Sequence, residues 1–155
     1  MAVIEFLFAT GIRISELCNL TPNEVNLYEG SILIYGKGSK ERRIHIGNED
    51  VLDILKEYEK EYHKEIVSCN HFFASQSGKP LSDQSVRRMI NKYTSFASIE
   101  QHITPHMFRH TFATALMDEN VNIRYIQQLL GHSSITTTQI YTHISTNKIR
   151  HILEE

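Results

Sequence analysis

The chain has 155 residues, 41% of them hydrophobic, enough for one ordinary core and too few for two comfortable domains. A formal charge of -2 and an isoelectric point near 6.5 argue against a domain that holds phosphate by bulk basicity. Its two cysteines, Cys18 and Cys69, are too far apart for a zinc-ribbon spacing and too few for a disulfide framework, which fits a reducing cytoplasm.

The opening MAVIEFLFAT carries Glu5 and no basic leader. No apolar stretch approaches the roughly 20 residues of a membrane span, so an unexported protein without membrane partners is expected. Ala2 to Thr10 predicts a short apolar helix closed by Gly11, and RISELCNL restarts helical spacing with Ile14, Leu17 and Leu20 ahead of Thr21 and Pro22. A chain that opens inside a buried-looking helix suggests a preceding segment. SILIYGKGSKERRIHI alternates apolar and polar residues around a glycine-flanked loop, which predicts a hairpin with strands near 31 to 35 and 41 to 46 and Lys37 at its tip.

From Asn48, a cap, the residues Val51, Leu52, Leu55, Tyr58 and Tyr62 keep helical spacing into an acidic helix ending before Ser68. HFFAS reads as a short strand and QSGKP as a turn. Ser82 then caps a helix whose Val86, Met89, Ile90, Tyr93 and Phe96 are expected to face inward. Thr104 and Pro105 start the helix of HMFRHTFATAL, and Asn122 to Leu130 forms another that Gly131 stops in the left-handed conformation. SSITTTQIYTHIS carries hydroxyl-rich helix starts, and the tail ends on the stripe Ile149, Ile152, Leu153. The sum is one mainly α domain over 1–155 with a small antiparallel β-sheet.

The helix after Pro105 holds the first chemical signal. His106, Arg109 and His110 stand three and four apart and share one face, while Phe108, Phe112 and Leu116 take the adjacent apolar face. Arg13 follows a glycine turn at a helix start, and Lys37 occupies the hairpin tip, both places from which a charge can reach a ligand. Two arginines and a lysine without a matching run of carboxylates suggest a phosphate, because guanidinium donors suit bidentate contact with anionic oxygens. Glu16, one turn beyond Arg13, reads as an internal orienter, or as half of an exposed helix pair worth under about 1 kcal/mol. His132 emerges from a glycine-stopped helix, and Tyr141 follows in a polar run. A tyrosine is on the order of 0.1% ionised near neutrality, so as a nucleophile it needs neighbouring cations and a proton acceptor.

These motifs, ATGIRISELCNLT, YGKGSKERRIHI, ITPHMFRHTFATAL and IQQLLGHSSITTTQIYTHIS, give the chain its resemblance to the catalytic domain of the tyrosine recombinases, the phage-integrase family of site-specific DNA recombinases. By that resemblance Arg13 and Arg109 grip the non-bridging oxygens of the scissile phosphate and His132 is a third donor. Tyr141 is the nucleophile, Lys37 protonates the departing 5' oxygen, His106 manages the tyrosine proton, and Glu16 is the supporting acid. Lys40, Arg42, Arg43, Arg87 and Arg88 are expected to contact DNA. The resemblance implies double-stranded DNA as partner, a homotetramer on paired sites with each C-terminal segment docked on its neighbour, and no cofactor or metal.

The family's catalytic domain usually follows a separate helical domain that clamps the other face of DNA, so the chain is expected to be N-terminally truncated and to lack that clamp. Phe108 stands where the family often has leucine, a volume the core is expected to absorb. Two other readings compete. One is an integrase remnant that binds DNA without catalysis; the other takes His106 and His110, at i and i+4, as zinc ligands. The second is weakened by MFR between them, which lacks the glutamate of the hydrolase pattern and places Arg109 beside a dication.

Overall fold

The computed structural model describes residues 1–36 and 41–131; Lys37, Lys40, His132, Tyr141 and the stripe Ile149, Ile152, Leu153 lie outside the described residues. Helix α1 (Ala2–Thr10) is apolar on nearly every side and buries Val3, Ile4, Phe6 and Leu7, as a helix without a polar face must. It lies against α3 (Glu49–Glu61) and α6 (Pro105–Asp118). Gly11 closes it at φ 61, its N–H donating to the Leu7 carbonyl at 3.0 Å. The short α2 (Ile14–Asn19) follows at once and leans on α5 (Asp83–Phe96).

A three-stranded antiparallel sheet is ordered β1 (Val25–Asn26), β2 (Ser31–Tyr35), β3 (Glu41–His45). The hairpin strands fall where the alternation puts them; the two-residue β1 carries no such signal. Strand register pairs Ile32 with Ile44 and Ile34 with Arg42. Successive side chains alternate between faces, so Arg42 shares the inward face with Ile44 and Ile46, both buried.

Three expectations need correction. The helix from Asn48 is interrupted at Tyr62 (φ -102, ψ 19) and resumes as α4 (His63–Cys69), a break that apolar spacing does not mark. HFFAS makes one bridge, Ala74 to Pro80, instead of a strand. Its role is to deliver Phe72 and Phe73 to the core, fixed by the Tyr58 hydroxyl, which donates to the Phe72 carbonyl and accepts from the Ala74 N–H, each at 2.8 Å. Phe96 is 76% exposed, because α5 buries the row Val86, Ile90, Thr94 and a residue two beyond Thr94 faces the far side.

Phe108 is wholly buried and tilts against Phe8 with ring centroids 4.5 Å apart, so the large core takes its volume. A separate small cluster of Ala113, Ile126 and Leu130, with Phe112 and Leu116 packed around it, seats α7 (Ile123–Leu130) on α6. Helix α7 also meets β3. No helix among the described residues is long and apolar enough to cross a membrane.

Candidate functional site

Arg109 lies one turn into α6 and is 4% exposed. Its Nη1 donates to the Gly11 carbonyl at 2.8 Å and its Nη2 to the Leu130 carbonyl at 3.0 Å. One guanidinium thus joins the end of α1 and the end of α7 to the start of α6. The Leu130 carbonyl is among those that a helix C-terminus leaves unsatisfied, and a cation there also meets the negative end of the helix dipole.

Glu16 is the second hub. Its Oε1 accepts the backbone N–H of Arg13 at 2.8 Å, fastening the first turn of α2. Both carboxylate oxygens accept from Arg42, Oε2 from Nη1 and Oε1 from Nη2, the fork-on-carboxylate pairing that guanidinium geometry favours. Burial pushes the Glu16 carboxyl upward; hydrogen bonds from Arg42 and the Arg13 N–H, with the charges of both arginines, overcome it and hold the group below its ordinary range. Arg42 Nε donates to the Leu129 carbonyl, so the same side chain also grips the last turn of α7. Glu16 Oε1 stands 4.0 Å from Arg109 Nη1.

Arg13 joins from the other side. A Cβ built on Gly131 would lie 3.1 Å from Arg42 Nη1 and 3.6 Å from Arg13 Nη1, so both arginine heads rest against that glycine. Arg13 and Glu16 from the start of α2, Arg42 from β3 and Arg109 from α6, three segments, therefore converge at the end of α7. Three guanidinium groups face one carboxylate, and the place is net positive in a chain that is not.

His106 and His110 sit on the same face of α6, rings edge to face with centroids 4.5 Å apart. Burial, then the positive charges of Arg109 and Arg13, lower the His106 pKa. For His110 the order is burial, His106 and Arg109, and it is pushed down to about 4. Both rings are neutral at pH 7, and a neutral imidazole can accept a proton.

Of the residues expected to meet DNA, Arg43, Arg87 and Arg88 are exposed, Arg43 donating to the Ser31 hydroxyl at 2.7 Å and Arg87 pairing with Asp83 in α5. Arg42 is turned inward, with Glu16 and the Leu129 carbonyl taking its Nε, Nη1 and Nη2. That inward role was missed, although period-two alternation puts Arg42 on the face of Ile44 and Ile46, where an arginine needs a buried acid. Lys37, Lys40, His132 and Tyr141 are outside the described residues. Among the described residues no group of three or more His, Cys, Asp or Glu is placed to hold a metal.

Comparison with known proteins shows what the chain is similar to in family and fold. The model of the phage integrase family matches residues 1–148. A tyrosine recombinase from Agathobacter rectalis is 69% identical over 152 residues, covering 98% of this chain and 50% of the relative. Tyrosine recombinase XerD of Staphylococcus saprophyticus is 40% identical over 156 residues, covering 99% of this chain and 52% of the relative. The chain therefore spans about half the length of the curated relatives it matches. Among solved structures, the XerA recombinase superposes with a TM-score of 0.85 at 35% identity, over 97% of this chain and 55% of that one. The XerH site-specific recombinase bound to its difH substrate superposes with a TM-score of 0.79 at 30% identity, over 96% of this chain and 44% of that one.

Proposed function

Because the chain belongs to the phage integrase family, we propose that it is the catalytic part of a site-specific DNA recombinase, cutting and rejoining strands through a covalent 3'-phosphotyrosyl intermediate. The observation that carries this reading is the meeting of Arg13 and Arg109 around Glu16 and the end of α7, a net-positive charge set assembled from distant segments.

In this reading the Tyr141 oxygen attacks phosphorus while the bond to the 5' oxygen breaks. Lys37 gives its proton to that leaving oxygen, and neutral His106 takes the tyrosine proton. Arg13, Arg109 and His132 hold the non-bridging oxygens, whose charge grows in the transition state, and Glu16 keeps the arginines in place. Return attack by the 5' hydroxyl restores the phosphodiester. The phosphotyrosyl bond conserves the energy of the broken one, so neither ATP nor a metal is required.

Double-stranded DNA is the partner, with Lys40, Arg43, Arg87 and Arg88 on its backbone. We extend the reading to a tetramer on paired sites, with Ile149, Ile152 and Leu153 docking on a neighbouring protomer, in the cytoplasm where free Cys18 and Cys69 stay reduced.

The test is adduct formation on nicked duplexes carrying either the difH sequence or the flanks of the chain's own gene. A covalent protein-DNA band that disappears in Tyr141→Phe is expected, and the lack of any Tyr141-dependent band refutes catalysis. Retarded DNA in the same lanes with no adduct would assign binding without cutting.

A further inference from the structure

Arg42 carries an inference that rests on the catalytic reading above and goes beyond it. It is far from an ordinary exposed strand arginine: its side chain is 10% exposed, it faces inward opposite Ile34, and Nε, Nη1 and Nη2 all donate to protein. Two of those bonds end on Glu16 and the third on the carbonyl of Leu129, three residues before His132 in the chain. Glu16 in turn stands 4.0 Å from Arg109, too long for a hydrogen bond and close enough to become one by a shift of about 1 Å.

We propose that Arg42 is a positioning residue of the strand-transfer reaction: it occupies the Glu16 carboxylate, so that Arg109 stays on the Gly11 and Leu130 carbonyls, and it anchors the last turn of α7. Without Arg42, Glu16 is a buried carboxylate lacking its main partner, a costly state. The nearest remaining cation is Arg109. Closing that gap draws Arg109 off the two carbonyls that aim it, so the donor meets the phosphate out of place. A misplacement of about 1 Å in such a group costs about 10²-fold in rate.

The experiment compares three variants of the full chain, Arg42→Met, Glu16→Gln and Arg42→Met with Glu16→Gln, in adduct formation at saturating nicked DNA. The single Arg42→Met change is expected to slow adduct formation about 10²-fold with DNA affinity and its salt dependence unchanged. Adding Glu16→Gln, which removes the charge that captures Arg109, is expected to recover at least about tenfold of that loss. A double variant no faster than Arg42→Met overturns the proposal. So does a loss that lies in DNA affinity with a salt slope reduced by about 1, the signature of a direct phosphate contact.

A readout independent of activity is the titration of His106 and His110 by nuclear magnetic resonance. Arg109 helps hold both pKa values down, so pairing it with Glu16 is expected to raise them in Arg42→Met and to return them in the double variant. Titrations that do not move refute the role. Arg42→Lys keeps a cation on Glu16 but cannot also reach Leu129 with a planar fork; it folds under milder strain and is expected to be intermediate in rate, whereas full wild-type rate counts against the proposal. A wild-type chain that forms no adduct while its histidines shift as expected in the variants sinks the catalytic reading and leaves the Arg42–Glu16–Arg109 arrangement standing.

Discussion

Replacing Gly131 by alanine tests whether the end of α7 is part of the arginine cluster or merely beside it. Gly131 has φ 71 and Gly78 has φ 77, so each alanine meets the same left-handed backbone penalty, roughly 1–2 kcal/mol. At Gly78 the new Cβ has only Ser68 Oγ near it, at 3.8 Å, so that variant measures the backbone cost alone. At Gly131 the Cβ lies 3.1 Å from Arg42 Nη1 and 3.5 Å from its Cζ, and the guanidinium must yield by a few tenths of an ångström. It is fixed by bonds to Glu16 and Leu129, and losing one hydrogen bond to a charged group costs about 1.5–3 kcal/mol more. At about 2–4 °C per kcal/mol for a chain of this size, Gly131→Ala should lower Tm roughly twice as far as Gly78→Ala. Circular-dichroism melts read this directly, and adduct formation should fall for Gly131→Ala only. Asparagine at 131 tolerates the left-handed conformation but keeps a Cβ, so it should regain only the backbone share of the Tm loss and none of the rate. Equal melting shifts at the two glycines, or an unimpaired rate in Gly131→Ala, would show that α7's end and the guanidinium cluster are independent.

Two further outcomes follow from the charges. His110 titrates near 4 in the fold against an ordinary 6.5, so between those values the unfolded chain binds more protons and stability falls as pH drops through the window. Glu16, held below 4.5, adds a loss that begins only in more acid solution. Denaturant melts across pH 4 to 7 should therefore slope downward toward acid, and His110→Gln should reduce the slope above about 4.5, leaving the share of His106, which is also lowered; an unchanged slope removes the His110 assignment. Arg87 and Arg88 are exposed on α5, so Arg87→Ala and Arg88→Ala should each reduce the salt slope of DNA binding by about 1 while leaving the adduct rate at saturating DNA alone. A changed rate with an unchanged slope rules out phosphate contact there.

Much of this fold is legible in the residues because its elements are punctuated. Gly11 and Gly131 stop helices, Asn48, Ser82 and Asn122 cap them with side-chain oxygens, and the hairpin alternates cleanly through Ile32, Ile34, Ile44 and Ile46. What escaped was set by tertiary context. The break at Tyr62 sits in an unbroken helical spacing, and β1 is two residues long with pairing that depends wholly on β2. Phe96 continues the apolar stripe in sequence, but the buried row is 86, 90, 94. At the site, spacing alone grouped His106, Arg109 and His110 on one face, because they share a helix. The basic run points Arg42 to DNA, since composition weighs a charge without regard to which face of the strand it takes.

That same distinction explains why a net charge of -2 says so little about what the chain can hold. The acidic residues are concentrated on helices such as α3, which carries Glu49, Asp50, Asp53, Glu57, Glu59 and Glu61, and there they are mostly solvated. Solvated charges more than about 10 Å away are screened and contribute little at a buried site. Inside the cluster the count is different: Arg13, Arg42 and Arg109 against Glu16, with Arg42 and Arg109 also capping the carbonyl end of α7. The carbonyl dipoles and the one carboxylate lower the cost of bringing three cations together without cancelling them. The excess positive charge exists only once the loop after α1, β3, α6 and α7 are in place, so the anion binding proposed for the cluster should vanish with the tertiary structure. Loss of anion-dependent stabilisation at the same denaturant concentration as loss of near-ultraviolet circular dichroism is the expected result. Binding that survived into the unfolded baseline would assign it to the exposed basic run and not to the cluster.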